Sequence, residues 1–154
     1  MLTKIISGAQ TGADQGALEA AKQCGLQTGG WIPKGCRTEV GYEPYLRDKY
    51  QLTEHESSDY VPRTGNNVRD SDGTLIFTNN LKSAGTKCTK RWIKLYKKPS
   101  LIVKDMSNID QVVQWVKEND IRTLNVAGNR ESSNPGLQEA VRNFTMKIIA
   151  AMNL

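Results

Sequence analysis

Strand-like and helix-like segments alternate along this chain from one end to the other, and few folds accommodate that pattern. Lys4-Ile5-Ile6 is a short apolar run that breaks at Gly8. Residues 27–32, Thr74–Thr78, Ser100–Val103 and Thr123–Ala127 are further runs of strand length. Between them apolar residues recur at helical spacing. Ala13, Ala17, Leu18, Ala21 and Cys24 mark a helix over 11–24, with Gly25 as its stop. Cys88, Trp92, Leu95 and Tyr96 mark one over 86–98, and Ile109, Val112, Val113 and Val116 one over 108–119. A shorter helix is predicted over 58–70, with Pro62 in its first turn. Asn134-Pro135 is a good cap and first-turn pair for a last helix, whose core residues are Leu137, Val141, Phe144 and Ile148. Strands separated by helices pair in parallel, because the chain must cross back before it pairs again. The expected fold class is therefore α/β, a three-layer sandwich on a mostly parallel five-stranded sheet. With 154 residues and no internal repeat, one domain over 1–154 is expected.

In such sheets ligands bind beyond the carboxyl ends of the strands. Three strands here end in glycine, polar residues and a helix start. The first is Gly8-Ala9-Gln10-Thr11-Gly12, where Thr11 and Asp14 have capping-box spacing. The second runs from Thr78 to Gly85-Thr86, and the third is Gly128-Asn129-Arg130-Glu131-Ser132-Ser133. Such turns aim backbone N–H groups and the positive end of a helix dipole at one spot, which suits a phosphate or carboxylate. The glycine spacing matches neither the dinucleotide fingerprint nor the P-loop. Gln10, Thr11, Thr86 and Ser132 can donate to phosphate oxygens. Arg130 can clamp an anion bidentately or pair with Glu131. Residues 34–56 show no clean period and hold Lys34, Arg37, Tyr42, Tyr45 and Tyr50. A stretch of that length reads as a lid or binding loop, or as a surface excursion.

Other clusters are less specific. Arg69, Asp70, Ser71 and Asp72 precede the third strand; paired aspartates suit a metal or a general base, and Asp-Ser-Asp-Gly equally suits a turn. Lys87, Lys90, Arg91, Lys94, Lys97 and Lys98 form a basic helix face with no interleaved aromatics, so a solvated face explains it better than nucleic-acid binding. Cys36 lies beside Lys34 and Arg37, a setting that can activate a thiol, although an inert cysteine explains it as well. His55 stands alone, without a Ser-His-Asp or metal constellation. No apolar run approaches the roughly 20 residues of a membrane span. Cys24, Cys36 and Cys88 are odd in number, with no C-x-x-C pair, which points to a reducing cytoplasm and to no structural metal. The net charge of +5 favours anionic partners.

Taken in order, these residues resemble a known family. Gly8-Ala9-Gln10-Thr11-Gly12-Ala13-Asp14 and Gly30-Trp31-Ile32-Pro33-Lys34-Gly35 are similar to motifs of the molybdenum cofactor carrier family, circularly permuted members of the LOG-like Rossmann superfamily (SLOG). Further matches are Arg37 with Glu39, Tyr60, Arg63-Thr64, Asn67-Val68, Asp70-Ser71-Asp72, Gly85-Thr86 with Thr89, Pro99, and Asn125–Gly128 with Arg130-Glu131-Ser132. The resemblance implies a Rossmann-like sandwich with sheet order 2-1-5-3-4, counting the five strands along the chain. That order sets the three glycine loops side by side. LOG-type hydrolases carry P-G-G-x-G-T-x-x-E with a catalytic Glu. Here Thr89 stands in its place, and a threonine cannot act as a carboxylate acid or base at neutral pH. Asn129 stands where the carrier family often has proline, a change of loop stiffness.

The resemblance and the residues together imply a binding or carrier protein, more than an enzyme. Its cargo would be the molybdenum cofactor (molybdopterin), molybdate, or a related phosphorylated pterin or nucleotide. Expected ligand contacts are Gly8, Gln10, Thr11, Gly12, Lys34, Arg69, Asp70, Ser71, Gly85, Thr86, Thr89, Gly128, Arg130, Glu131 and Ser132, with Lys34, Arg37 and the 34–56 loop as a cover. A LOG-type nucleotide hydrolase using Asp70, Asp72 or Glu131 is one alternative, and a nucleotide-signal sensor another. A cytoplasmic homo-oligomer, dimer or tetramer, is expected, with the apolar sides of the 58–70 and 86–98 helices as interfaces. Molybdoenzymes receiving the cofactor are expected partners; nucleic acid is not.

Overall fold

The computed structural model describes residues 1–152. Its elements follow the expected alternation. Strand β1 (Lys4–Ile6) leads into α1 (Ala13–Gln23), and β2 (Gln27–Gly29) follows. The next stretch is a chain of very short elements: β3 (Trp31–Ile32), a 3-10 turn at Lys34–Cys36, β4 (Arg37–Thr38), β5 (Gly41–Tyr42), α2 (Tyr45–Lys49) and β6 (Thr53–Glu54). Regular alternation resumes with α3 (Tyr60–Arg69), β7 (Gly73–Phe77), α4 (Ala84–Tyr96), β8 (Ser100–Val103), α5 (Ile109–Glu118) and β9 (Thr123–Gly128). A second 3-10 turn at Glu131–Ser133 precedes α6 (Leu137–Met152).

The main sheet has the order β2-β1-β9-β7-β8, and every neighbouring pair in it is parallel. Counted over the five principal strands, this is the expected 2-1-5-3-4. The last strand therefore lies at the centre of the sheet, between the first and the third. The largest core packs α1, α5 and α6 against one face, through residues such as Ile5, Leu75, Phe77, Leu124, Val141, Phe144 and Ile148. The other face carries α3 and α4 over a much smaller apolar patch of Val68, Ile76 and Ile93. Its central positions are small or polar: Thr74 and Asn125 are buried there and hydrogen-bonded to each other at 3.2 Å. Short side chains on that face leave room between sheet and helices.

Two local expectations need correction. The run 27–32 is not one strand. Gly30 (φ 123°) turns the chain out of the main sheet, and any side chain there would strike the Ser7 backbone. β3 then pairs in parallel with β6 in a separate two-stranded sheet. The stretch 34–56 is not a loose excursion either. Ile32, Cys36, Leu46, Tyr50 and Leu52 are buried with Ala9 and Leu18 in a second small core. Its elements, two to five residues long, are too short to impose a period on the sequence. Within it, burial pushes the Cys36 thiol up from its ordinary pKa, helped by Glu54, which suits an inert thiol rather than a reactive one.

Candidate functional site

The loops after β1, β7 and β9 meet at one edge of the sheet, as parallel pairing requires of strands that run the same way. Between that edge and the helices α3 and α4 lies a cavity of about 430 Å³. Its floor is Ile76 and Asn125–Asn129; Gly8 and Gln10 form one wall, and Ser83–Thr86, Cys88 and Thr89 another. The third wall is α3, through Tyr60, Val61, Arg63, Thr64 and Asn67.

Arg63 is the dominant group. Its side chain is only 11% exposed, and its Nε has no hydrogen-bond partner. The guanidinium lies over Gly8 so closely that a side chain at that position would run into it. Among the described residues the carboxylate that pairs with it is Asp14, 3.9 Å away, which is too far for a hydrogen bond. Burial lowers the Arg63 pKa from its usual value, partly offset by the Asp14 charge. Leaving the Nε donor of this buried cation unmade costs roughly 1–3 kcal/mol by the usual magnitude.

Tyr60 gathers further positive charge. The guanidinium of Arg37 lies 4.7 Å from its ring centroid, that of Arg63 5.3 Å and that of Arg130 5.7 Å. The ring's negative face attracts each cation by about 0.5–2 kcal/mol, yet the cations repel one another. Asp14 is the carboxylate of this corner. Its Oδ2 accepts from the Gln10 N–H at 3.2 Å, and Gly8 N–H helps as well. Burial nevertheless pushes its pKa up to about 6, since it outweighs Arg63 and the two N–H groups. Ala9, between them, holds a left-handed backbone (φ 58°), a strained conformation of the kind that concentrates at binding sites.

Of the expected ligand contacts, the structure brings Gly8, Gln10, Gly85, Thr86, Thr89, Gly128 and Arg130 to the cavity wall. Ser83 caps α4 by accepting from the Thr86 N–H, and Thr89 Oγ1 donates to Gly85 O at 3.1 Å within that helix. The others sit elsewhere. Gly12 (φ 85°) is the first residue before α1, pressed against the Asn129 and Arg130 backbone. Thr11 bonds the Glu39 carboxylate and accepts from the Glu131 N–H at 3.1 Å, so it does not cap α1, and the capping-box reading fails. Ser132 also holds Glu39. Glu131 accepts from Gly136 N–H at 2.7 Å and Gln138 N–H at 2.8 Å, so it caps α6 in place of Asn134.

The cluster at 69–72 precedes β7 and so belongs to the opposite edge of the sheet. Asp70 is bonded to Arg69 and to Trp31 Nε1, and the Arg69 contact holds its pKa below the usual range. Ser71 bonds Val68 O, and Asp72 accepts from the N–H groups of Arg122 and Thr123. This is turn chemistry. Lys34 is exposed, and no cavity-lining role falls to it. The helix residues Tyr60, Arg63 and Asn67 match the family's pattern in the sequence without a role attached to them, and their convergence on the cavity becomes visible with the fold. Asn129 is a further surprise: its Oδ1 accepts from Asn79 N–H at 2.8 Å and ties the β9 loop to the β7 loop. Among the described residues no group of three or more His, Cys, Asp or Glu side chains suits a metal ion, and no helix is long and apolar enough to cross a membrane.

Comparison with known proteins gives the same architecture a family. A crystal structure of a "putative molybdenum carrier protein" from Syntrophus aciditrophicus SB superposes with a TM-score of 0.83 at 38% identity, over 99% of this chain and 96% of that one. No curated protein matches significantly. The sequence model of the circularly permutated YpsA SLOG family matches residues 5–149. That match spans nearly the whole chain and agrees with a sheet whose last strand lies at its centre, so the protein belongs to the circularly permutated YpsA SLOG family.

Proposed function

We propose that this protein is a binding or carrier protein for a small molecule with a tetrahedral oxyanion. Its likeness to the Syntrophus protein supports a molybdenum-containing cargo; we read that cargo as the molybdenum cofactor or molybdate, with a related phosphorylated pterin or nucleotide as the alternative. The observation that carries this reading is Arg63, a buried guanidinium at the cavity wall with an unpartnered Nε, joined by Arg37 and Arg130 around Tyr60. A phosphate or molybdate group offers the bidentate acceptors and the negative charge that such a cluster lacks. A volume of about 430 Å³ falls in the range of roughly 300–1,000 Å³ typical of small-molecule sites. Gly85, Thr86, Thr89 and Gly128 would complete the contacts from the other walls. In this reading the protein works in the cytoplasm as a homo-oligomer and hands its cargo to molybdoenzymes; the exposed Val61 and Leu95 of α3 and α4 support an interface there.

The test is calorimetric titration and thermal unfolding with molybdate, tungstate, molybdenum cofactor, AMP, ATP, NAD and cyclic dinucleotides, for the wild type and for Arg63→Met. Wild-type binding that weakens at least tenfold in Arg63→Met is the expected result, because a charge-assisted hydrogen bond contributes about 1.5–3 kcal/mol. Binding that ignores the substitution, or no binding, overturns the reading. A second reading, nucleotide hydrolysis, is favoured by one observation: Asp14 is a carboxylate at the cavity wall with a pKa near neutrality. Product formation from the nucleotide panel, abolished in Asp14→Asn, distinguishes it.

A further inference from the structure

Glu39 occupies a place that its charge makes unusual. It sits at the turn of the β4–β5 hairpin, between Thr38 and Gly41, which pair across it. The hairpin reaches over the tips of the β1 and β9 loops. There the Glu39 carboxylate accepts from Thr11 Oγ1 and from both Oγ and N–H of Ser132, the latter at 3.2 Å. Its own N–H donates to Gln10 Oε1 at 2.8 Å. Burial opposes its charge, but the Ser132 and Thr11 hydrogen bonds, with Arg130 behind them, hold its pKa below the usual range. Hydroxyls, a backbone N–H and an arginine around one anion are the donor set that a phosphate or molybdate group uses. The subsite adjoins the cavity: Gln10 and Arg130 belong to both. On the same hairpin, Arg37 reaches the opposite side and stacks on Tyr60 while donating to Ser58 O at 3.0 Å. The hairpin thus straps α3 to the two loops, and a carboxylate is its fastening on the loop side.

We propose that Thr11, Ser132 and Arg130 form an oxyanion-binding subsite in which the Glu39 carboxylate is a resident stand-in, and that a tetrahedral oxyanion competes with Glu39 for it. This inference builds on the anion-binding reading of the cavity, shares Arg130 with it, and rests otherwise on Thr11, Ser132 and Glu39, which lie outside the cavity wall. A tethered competitor acts at an effective concentration on the order of millimolar, so it masks weak ligands. If the unfastened hairpin makes up between about 1 and 10% of molecules, apparent affinity falls by roughly 10- to 100-fold relative to the open subsite. Displacing Glu39 frees the strap, so occupancy of the subsite and opening of the hairpin are two faces of one equilibrium.

The experiment titrates inorganic phosphate and molybdate by calorimetry into wild type, Glu39→Gln and Glu39→Ala, and repeats it with Ser132→Ala added to each. Chymotryptic cleavage at the exposed Tyr42 reports whether the hairpin opens. Two variants are used because Glu39→Gln keeps the shape of the turn if Glu39→Ala loosens it, and circular dichroism confirms folding of each. Tenfold or greater tightening in either folded Glu39 variant, abolished by Ser132→Ala, supports the proposal; so does faster cleavage at Tyr42 when the wild type is saturated with anion. Unchanged or weaker anion binding in both Glu39 variants overturns it, as does tightening that survives Ser132→Ala. Adding Arg63→Met separates the two readings: a Glu39-dependent gain that persists while Arg63→Met alone changes nothing keeps this subsite and rejects the cavity reading.

Discussion

Asp14 has surroundings that favour its neutral form, so its proton count differs between the folded and unfolded chain. The folded pKa is about 6, with the group packed against Arg63, and the ordinary value of a solvated aspartate is 3.8. Between those values the folded state holds the extra proton. The resulting stabilisation is therefore full below pH ~4 and is lost as pH rises through ~6, a swing of about 3 kcal/mol for a shift of this size. Urea unfolding of wild type and Asp14→Asn from pH 4 to 7 checks this: the wild type should lose stability relative to the variant across that window. Anion binding should follow the same proton. Sulfate keeps its charge over this range, so it should bind more tightly at pH 5 than at pH 7, and Asp14→Asn should abolish the slope. The residue scale is also where the sequence was least transparent. Arg130, Thr86 and Gly85 declare themselves, since each follows a strand and lies in a glycine turn before a helix, and the resemblance sets those turns side by side. Arg63 and Tyr60 do not, because a single turn of α3 carries them in and nothing in the local sequence says which face of that helix looks at the cavity.

At the scale of elements, α6 and α1 depend on contacts that only the folded chain displays. Asn134-Pro135 has the composition of a helix start, yet the helix begins at Leu137, and Glu131 reaches forward to its free N–H groups. Glu131→Ala should cost about 1 kcal/mol, the typical value of a cap, measured as a lowered urea midpoint at unchanged m-value. Gly16 in the middle of α1 faces the Gln138 backbone of α6, where a methyl group would collide. Gly16→Ala should destabilise by about 1–3 kcal/mol, despite alanine's better helix propensity, because backbone cannot yield as a side chain does. A calorimetric rise in melting temperature for this variant would contradict the packing described. The long helices were legible from their period and the strands from apolar runs set between turns and helix starts, although the second strand ends at Gly29 rather than at residue 32. The short pieces between Trp31 and Glu54 were not, since a strand of two residues cannot alternate.

At the scale of the molecule, a ligand at 100 times its dissociation constant should add about 2.7 kcal/mol and raise the melting temperature by several degrees. The three glycine loops contribute jointly to that ligand only because of where β9 lies. Inserted between β1 and β7, it brings the loop of Gly128–Arg130 beside those of Gly8–Gln10 and Ser83–Thr86. The same placement bears on how the chain is made. A ribosome delivers residues in order, and β1 and β2 end 117 and 94 residues before Thr123, the start of the strand that joins them to β7 and β8. Until Thr123–Gly128 has left the exit tunnel, the growing chain has two half-sheets, each with an open hydrogen-bonding edge. Assembly must then close a loop spanning most of the polypeptide, a slow kind of step. Nascent chains stalled before β9 is exposed should be cleaved rapidly by protease and should bind holdase chaperones, whereas chains stalled well after it should resist both.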